Sequence, residues 1–169
     1  MKNHYLIFVF AAFFTLISCN RGSNVGQTAD IVTDSITEKT ELPDMKKISN
    51  ERFGFLFTIP ENWEAIDSSA NGDGYFINAG NDEVDLRIYA EIIPEGHSMD
   101  IIAPQCDSLA NFTFSDGKYG KICDVDPEQI FIFRDNSDHR ISLFVNAPLN
   151  WIKSNRHIIT AIAKSLAFS

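Results

Sequence analysis

Between Val84 and Ile92 the chain alternates without a break, with Val84, Leu86, Ile88, Ala90 and Ile92 on one side and Asp85, Arg87, Tyr89 and Glu91 on the other. A period of two marks a strand with one face in a core and one toward water, because successive side chains of a strand point to opposite faces. Shorter runs repeat the theme. Phe53, Phe55 and Phe57 alternate with Gly54, Leu56 and Thr58 up to Ile59-Pro60, where the proline stops the ladder and Trp63 is placed to cover the strand end. The turn signals Gly72-Asp73-Gly74 and Ala79-Gly80-Asn81-Asp82 bracket a short strand from Tyr75 to Asn78. Tyr119 to Cys123, Gln129 to Arg134 and Arg140 to Asn146 are further strands, the last two joined by Asp135-Asn136-Ser137-Asp138. Because Leu56 faces away from Phe55 and Phe57, the opening strand is expected to be buried on both sides, as in a sheet covered by helices.

Two segments read as helices. Ser98 to about Asn111 has Ser98 as an N-cap and places Ile102, Cys106 and Leu109 on one face, with Pro104 either kinking the helix or delaying its start. Pro148 and Asn150 set up a C-terminal helix with Ile159, Ile162, Ala163 and Leu166 on one side. Hairpin-linked strands with few helices predict the α+β class, an antiparallel β-sheet of about six strands covered by helices, over a single domain at residues 51–169. A chain of 169 residues, 44% hydrophobic and 22% charged, has room for one such domain. Its 14 Lys and Arg against 23 Asp and Glu leave a net charge of -9. Nucleic acid and anionic lipid surfaces both require a basic patch, so neither is expected to bind the folded surface.

The first twenty residues have a different character. After Lys2, the run from Tyr5 to Ile17 is interrupted only by Thr15. It is too short to cross a bilayer, which takes about 20 apolar residues, and it has the length and flanks of a secretory h-region. The run ends in Leu16-Ile17-Ser18-Cys19. That tetrapeptide resembles the lipobox of bacterial lipoproteins: an aliphatic residue three places before the cysteine, a small residue immediately before it, and the cysteine itself. The resemblance implies that residues 1–18 are a signal peptide, that the Cys19 thiol carries a diacylglyceryl group, and that its new amino terminus is acylated. Two or three acyl chains anchor firmly where one is marginal. Residues 19–50 are then the lipidated cysteine and a linker, rich in Ser, Thr, Asn, Gly and Asp, with too little apolar surface to offset the entropy of ordering it. Within it, Asp34-Ser35-Ile36 resembles the O-glycosylation site of Bacteroidetes envelope proteins, which implies Ser35 as the acceptor. No acidic cluster directly follows Cys19. Such a cluster resembles a surface-export signal in those bacteria, so a periplasm-facing position in the cell envelope is expected.

The order of elements in the folded part, with an aromatic strand, Pro60-Glu61-Asn62-Trp63, meander strands, a middle helix, more strands and a closing amphipathic helix, resembles the PsbP/Mog1-like fold, an αβα sandwich. The resemblance covers roughly residues 51–168. It implies a mostly non-enzymatic family of accessory proteins and small envelope lipoproteins, and it carries over no catalytic residue.

The remaining chemistry is sparse. With Cys19 lipidated, Cys106 and Cys123 are left in an oxidising compartment as a candidate disulfide, which would contribute about 3 kcal/mol through loop closure. The alternative is two separate buried thiols, and spacing alone leaves both open. No CxxC, HExxH or His-x-His occurs, and His97, His139 and His157 all neighbour polar or turn residues, so no metal ligand set is predicted. Asn71-Gly72-Asp73-Gly74 lacks the acidic residue that would complete a calcium loop, since Gly80 stands there, and it reads as a hairpin turn. Asp124-Val125-Asp126-Pro127-Glu128 reads as a solvated acidic turn. Neither Gly-x-Ser-x-Gly, Ser-x-x-Lys nor a glycine-rich phosphate loop is found, so no catalytic residue and no cofactor is predicted. The reading is a non-catalytic, lipid-anchored module that binds another envelope protein. The alternatives are a periplasmic lipoprotein for a small ligand or cation, with a pocket between sheet and helix, and an immunity or inhibitor protein against a toxin.

Overall fold

The structure is a computed structural model that describes residues 41–67, 69–94, 106 and 108–169, all within one compact unit. Cys19, Ser35, His97 and most of the expected middle helix lie outside the described residues. In chain order the elements are β1 (Met45–Asn50), β2 (Phe55–Pro60), β3 (Glu64–Ile66), β4 (Gly74–Asn78), β5 (Asp85–Ile92), β6 (Ser108–Thr113), β7 (Tyr119–Asp126), β8 (Gln129–Asp135), β9 (His139–Asn146), α1 (Leu149–Ser165) and β10 (Ala167–Phe168).

The strands form two antiparallel sheets, a small one ordered β1-β2-β10 and a seven-stranded one ordered β3-β4-β5-β9-β8-β7-β6. This corrects the expectation of about six strands covered by helices, since α1 is the one helix among the described residues. The domain also begins before residue 51: β1 pairs along its whole length with β2, from Met45 opposite Pro60 to Asn50 opposite Phe55. Its sequence, MKKISN, is polar because an edge strand needs little apolar surface, and edge lysines discourage further pairing. The third correction concerns Ser108–Thr113. Leu109 lies on β6 directly opposite Cys123, so the helical spacing of Ile102, Cys106 and Leu109 does not extend through it.

A single core joins both sheets and the helix. Phe55, Phe57 and Ile59 of β2, Leu86, Ile88 and Ala90 of β5, Ile130 and Ile132 of β8, Ile141, Leu143 and Val145 of β9, and Ile152, Ile159, Ile162 and Ala163 of α1 all bury in it. On β2 the intervening Leu56 and Thr58 are only half-buried, so that strand has one fully covered face rather than two. Trp63 covers the strand end and packs against Trp151 with ring centroids 6.0 Å apart.

The C-terminus of α1 is fastened by groups from both sheets. Thr58 N donates to Ser165 Oγ at 2.8 Å, and Ser115 N donates to the Lys164 carbonyl at 2.8 Å. The guanidinium of Arg134, only 2% exposed, donates to the Leu166 carbonyl at 2.8 Å and to Asp116 Oδ2 at 2.9 Å. Helix ends leave carbonyls without partners, and a cation there also favours the helix dipole, so Arg134 meets two needs at once. No helix among the described residues is long and apolar enough to cross a membrane.

Candidate functional site

The large sheet has a second face. Alternation that turns Leu86, Ile88 and Ala90 into the core turns Arg87, Tyr89 and Glu91 the other way, and cross-strand register builds rows from them. One row runs Phe76, Arg87, Phe144, Phe131, Cys123 across β4, β5, β9, β8 and β7. The next runs Tyr89, Ser142, Phe133, and the one after it Glu91, Arg140, Asp135. Cys123, Phe131 and Phe133 form a small apolar cluster on this face, flanked by Tyr89, Cys106, Val125 and Phe144. Its Phe131 and Phe133 rings lie 5.3 Å apart.

Cys106 and Cys123 are joined in a disulfide, with Cα atoms 5.5 Å apart. It stands at the far end of the aromatic row, on β7, with β8 between it and Phe144 of β9. The two histidines that the structure describes are not brought together: His139 opens β9 with its ring 5.8 Å from Phe53, while His157 lies on α1. Asp126 belongs to the tight turn between β7 and β8, where its carboxylate accepts from Glu128 N at 2.7 Å. Asn71 to Gly74 form the turn before β4, closed by Gly72 N to the Ser69 carbonyl at 3.2 Å and Asp73 N to Ser69 Oγ at 2.9 Å. Among the described residues no group of three His, Cys, Asp or Glu could hold a metal ion.

Where the Ser69–Gly74 turn meets the aromatic row, a cleft of about 630 Å³ opens, lined by Ser69, Asp73, Tyr75, Phe76, Arg87, Tyr89 and Phe144 with Gly74 among them. Its size falls within the usual range for small-molecule sites. Gly74 makes it possible. A Cβ there would lie 2.5 Å from Tyr89 Cβ and 2.7 Å from the Ile88 carbonyl oxygen, so only glycine allows β4 to sit this close while leaving the space above Tyr89 empty. Ala90 N donates to the Asp73 carbonyl at 2.8 Å and ties the turn to β5.

Arg87 projects over the cleft. Its Nε and NH2 donate to the two carboxylate oxygens of Asp85 at 2.7 and 2.6 Å, and its guanidinium lies 5.8 Å from the Phe76 ring centre. The hydrogen bonds with Asp85 raise its pKa further, so it stays a cation. Tyr89 is pushed up to about 12, chiefly by burial, with the Glu91 charge adding and Arg87, Ser142 and Arg140 opposing. Its phenol therefore remains a neutral hydroxyl that both donates and accepts. Beneath this rim Arg140 and Asp135 form a bidentate pair at 2.9 and 3.0 Å with both side chains 1% exposed, and the Arg140 guanidinium lies 4.1 Å from the Phe133 ring centre. Burial raises the Glu91 carboxyl above its ordinary value, with Asp135 and Asp73 adding and Arg140 opposing.

A second hollow of about 380 Å³ lies where Leu42 and Pro43 run past Trp63, Trp151 and His157. The sequence reading placed a pocket between sheet and helix, and this hollow at the edge of α1 is nearest that description. The cleft on the outer sheet face was missed. Its residues come from the Ser69–Gly74 turn and from β4, β5 and β9, and only the register of those strands reveals them as neighbours.

No known protein-family model matches the sequence, and no curated protein does. In three dimensions the chain is similar to the solution structure of cyanobacterial PsbP (CyanoP) from Synechocystis sp. PCC 6803, with a TM-score of 0.57 over 78% of this chain and 96% of that one, at 10% sequence identity. The fold is PsbP-like. An identity so low speaks for the fold alone.

Proposed function

We propose that the chain is a membrane-anchored envelope lipoprotein whose PsbP-like domain is a non-catalytic accessory module that binds another envelope protein. The observation that carries this reading is the order of parts: an apolar run closing on Leu16-Ile17-Ser18-Cys19, a polar stretch, and a compact domain whose first strand begins at Met45. Acylation at Cys19 would hold the domain at the membrane. The roughly 25 residues between Cys19 and Met45 would let it reach at most about 85 Å from the anchor at full extension. Such confinement raises the domain's concentration near partners in the same membrane to an effective millimolar range, so a weak contact becomes an occupied one. The acidic balance of the chain favours a partner with a basic docking surface.

The test is crosslinking capture of the full chain from native membranes, identified by mass spectrometry, beside a Cys19→Ala variant. The expected result is one dominant envelope protein recovered with the wild type and depleted in the variant. Equal recovery in both discards the tether, and no specific partner in either discards the accessory role. The second reading, a small-ligand lipoprotein, is favoured by one observation, the cleft on the outer sheet face.

A further inference from the structure

We propose that the cleft above Gly74 binds a neutral oligosaccharide, stacked on Phe76 and Phe144 and held at its hydroxyls by Arg87, Asp73 and Tyr89. The chemistry of the walls selects this class by exclusion. An anion would meet Asp73 in the wall and Asp85 and Glu91 close by, on a chain of net charge -9. A cation would meet the like charge of Arg87, which lines the cleft beside the Phe76 ring. A wholly apolar ligand would strip water from Asp73, Arg87 and the Tyr89 hydroxyl without replacing its hydrogen bonds.

A sugar ring answers all of these at once. One face presents C–H groups to an aromatic ring, while the equatorial hydroxyls both donate and accept at its rim. Arg87 suits that rim: its bonds to Asp85 use two of its five N–H donors, its side chain is 54% exposed, and Asp85 holds it in place. Phe76 and Phe144 flank Arg87 on neighbouring strands in register, so the row spans about 10 Å at ordinary strand spacing, longer than one ring needs. Rigid strands carry all three side chains, so the platform is formed before a ligand arrives.

The inference does not depend on the protein-partner reading, and either can fail alone. The test is calorimetric titration of the full chain in zwitterionic-lipid nanodiscs with chitotriose, maltotriose and cellotriose, and with choline and phenyl phosphate as charged probes. At least one trisaccharide is expected to bind saturably and neither charged probe to compete with it. Phe144→Ala and Arg87→Gln are each expected to weaken it about tenfold. Arg87→Gln alters only an exposed rim, so it keeps the test decisive if Phe144→Ala fails to fold. No binding of any trisaccharide, stronger binding of choline or phenyl phosphate, or unchanged affinity in the folded variants overturns the proposal.

Discussion

Two arginine–aspartate pairs on the same sheet face differ by burial, and that difference sets what each is worth. Arg87 and Asp85 are 54% and 28% exposed, whereas Arg140 and Asp135 are both 1% exposed. Surface pairs contribute about 0–1 kcal/mol, while removing one partner of a buried pair costs about 3–5 kcal/mol because a buried charge loses its counterpart. Asp135→Asn is therefore expected to lower the unfolding free energy by about 3–5 kcal/mol in a denaturant melt, and Arg87→Gln by no more than about 1 kcal/mol. Glu91 supplies a pH signature. Its carboxyl is raised above the ordinary value, so between that value and its folded pKa the native state holds more proton than the unfolded chain. Stability contributed by this group is present at lower pH and falls as pH rises through that window. Glu91→Gln removes the fall, so the variant should gain on the wild type between about pH 4 and pH 7, as read by urea melts at the two pH values. An equal offset at both would show that Glu91 is not the group responsible.

At the scale of elements, legibility followed how much of each strand's pattern is set by the core. Leu86, Ile88 and Ala90 of β5, and Ile141, Leu143 and Val145 of β9, alternate because the core accepts only one face, and the sequence shows both strands. The unbroken Ile130-Phe131-Ile132-Phe133 reflects burial on both faces of β8, with the isoleucines in the main core and the phenylalanines in the outer cluster. The edges were the obscure part. β1 carries Lys46 and Lys47 where an apolar alternation would show, and β3, of three residues, and β10, of two, have no room for a period. β6 was read as the end of a helix, because Leu109 falls one turn from Cys106 whether or not a helix is present. The cleft was illegible for a different reason: Phe76 and Phe144 come to either side of Arg87 only through the pairing of β4, β5 and β9. The disulfide at the end of that row spans a sequence separation of 17. Replacing both cysteines by serine is expected to cost about 3 kcal/mol of stability, measured by thermal melts with and without reductant. Reductant should lower the wild-type melting temperature toward that of the double variant and leave the variant unchanged.

For the whole molecule, the domain is one body held together by a shared core and by the Arg134 contacts at the end of α1, and its outer sheet face carries the cleft. The proposed function rests on where the protein is held and on what its surface accepts. The proposed function depends on the anchor, and the most direct measurement is the intact mass of the native protein extracted from membranes, with fragmentation of its amino terminus. The expected result is a chain that begins at Cys19, lacks residues 1–18 and carries diacylglyceryl and N-acyl groups on that cysteine. A chain beginning elsewhere, or an unmodified Cys19, would contradict it.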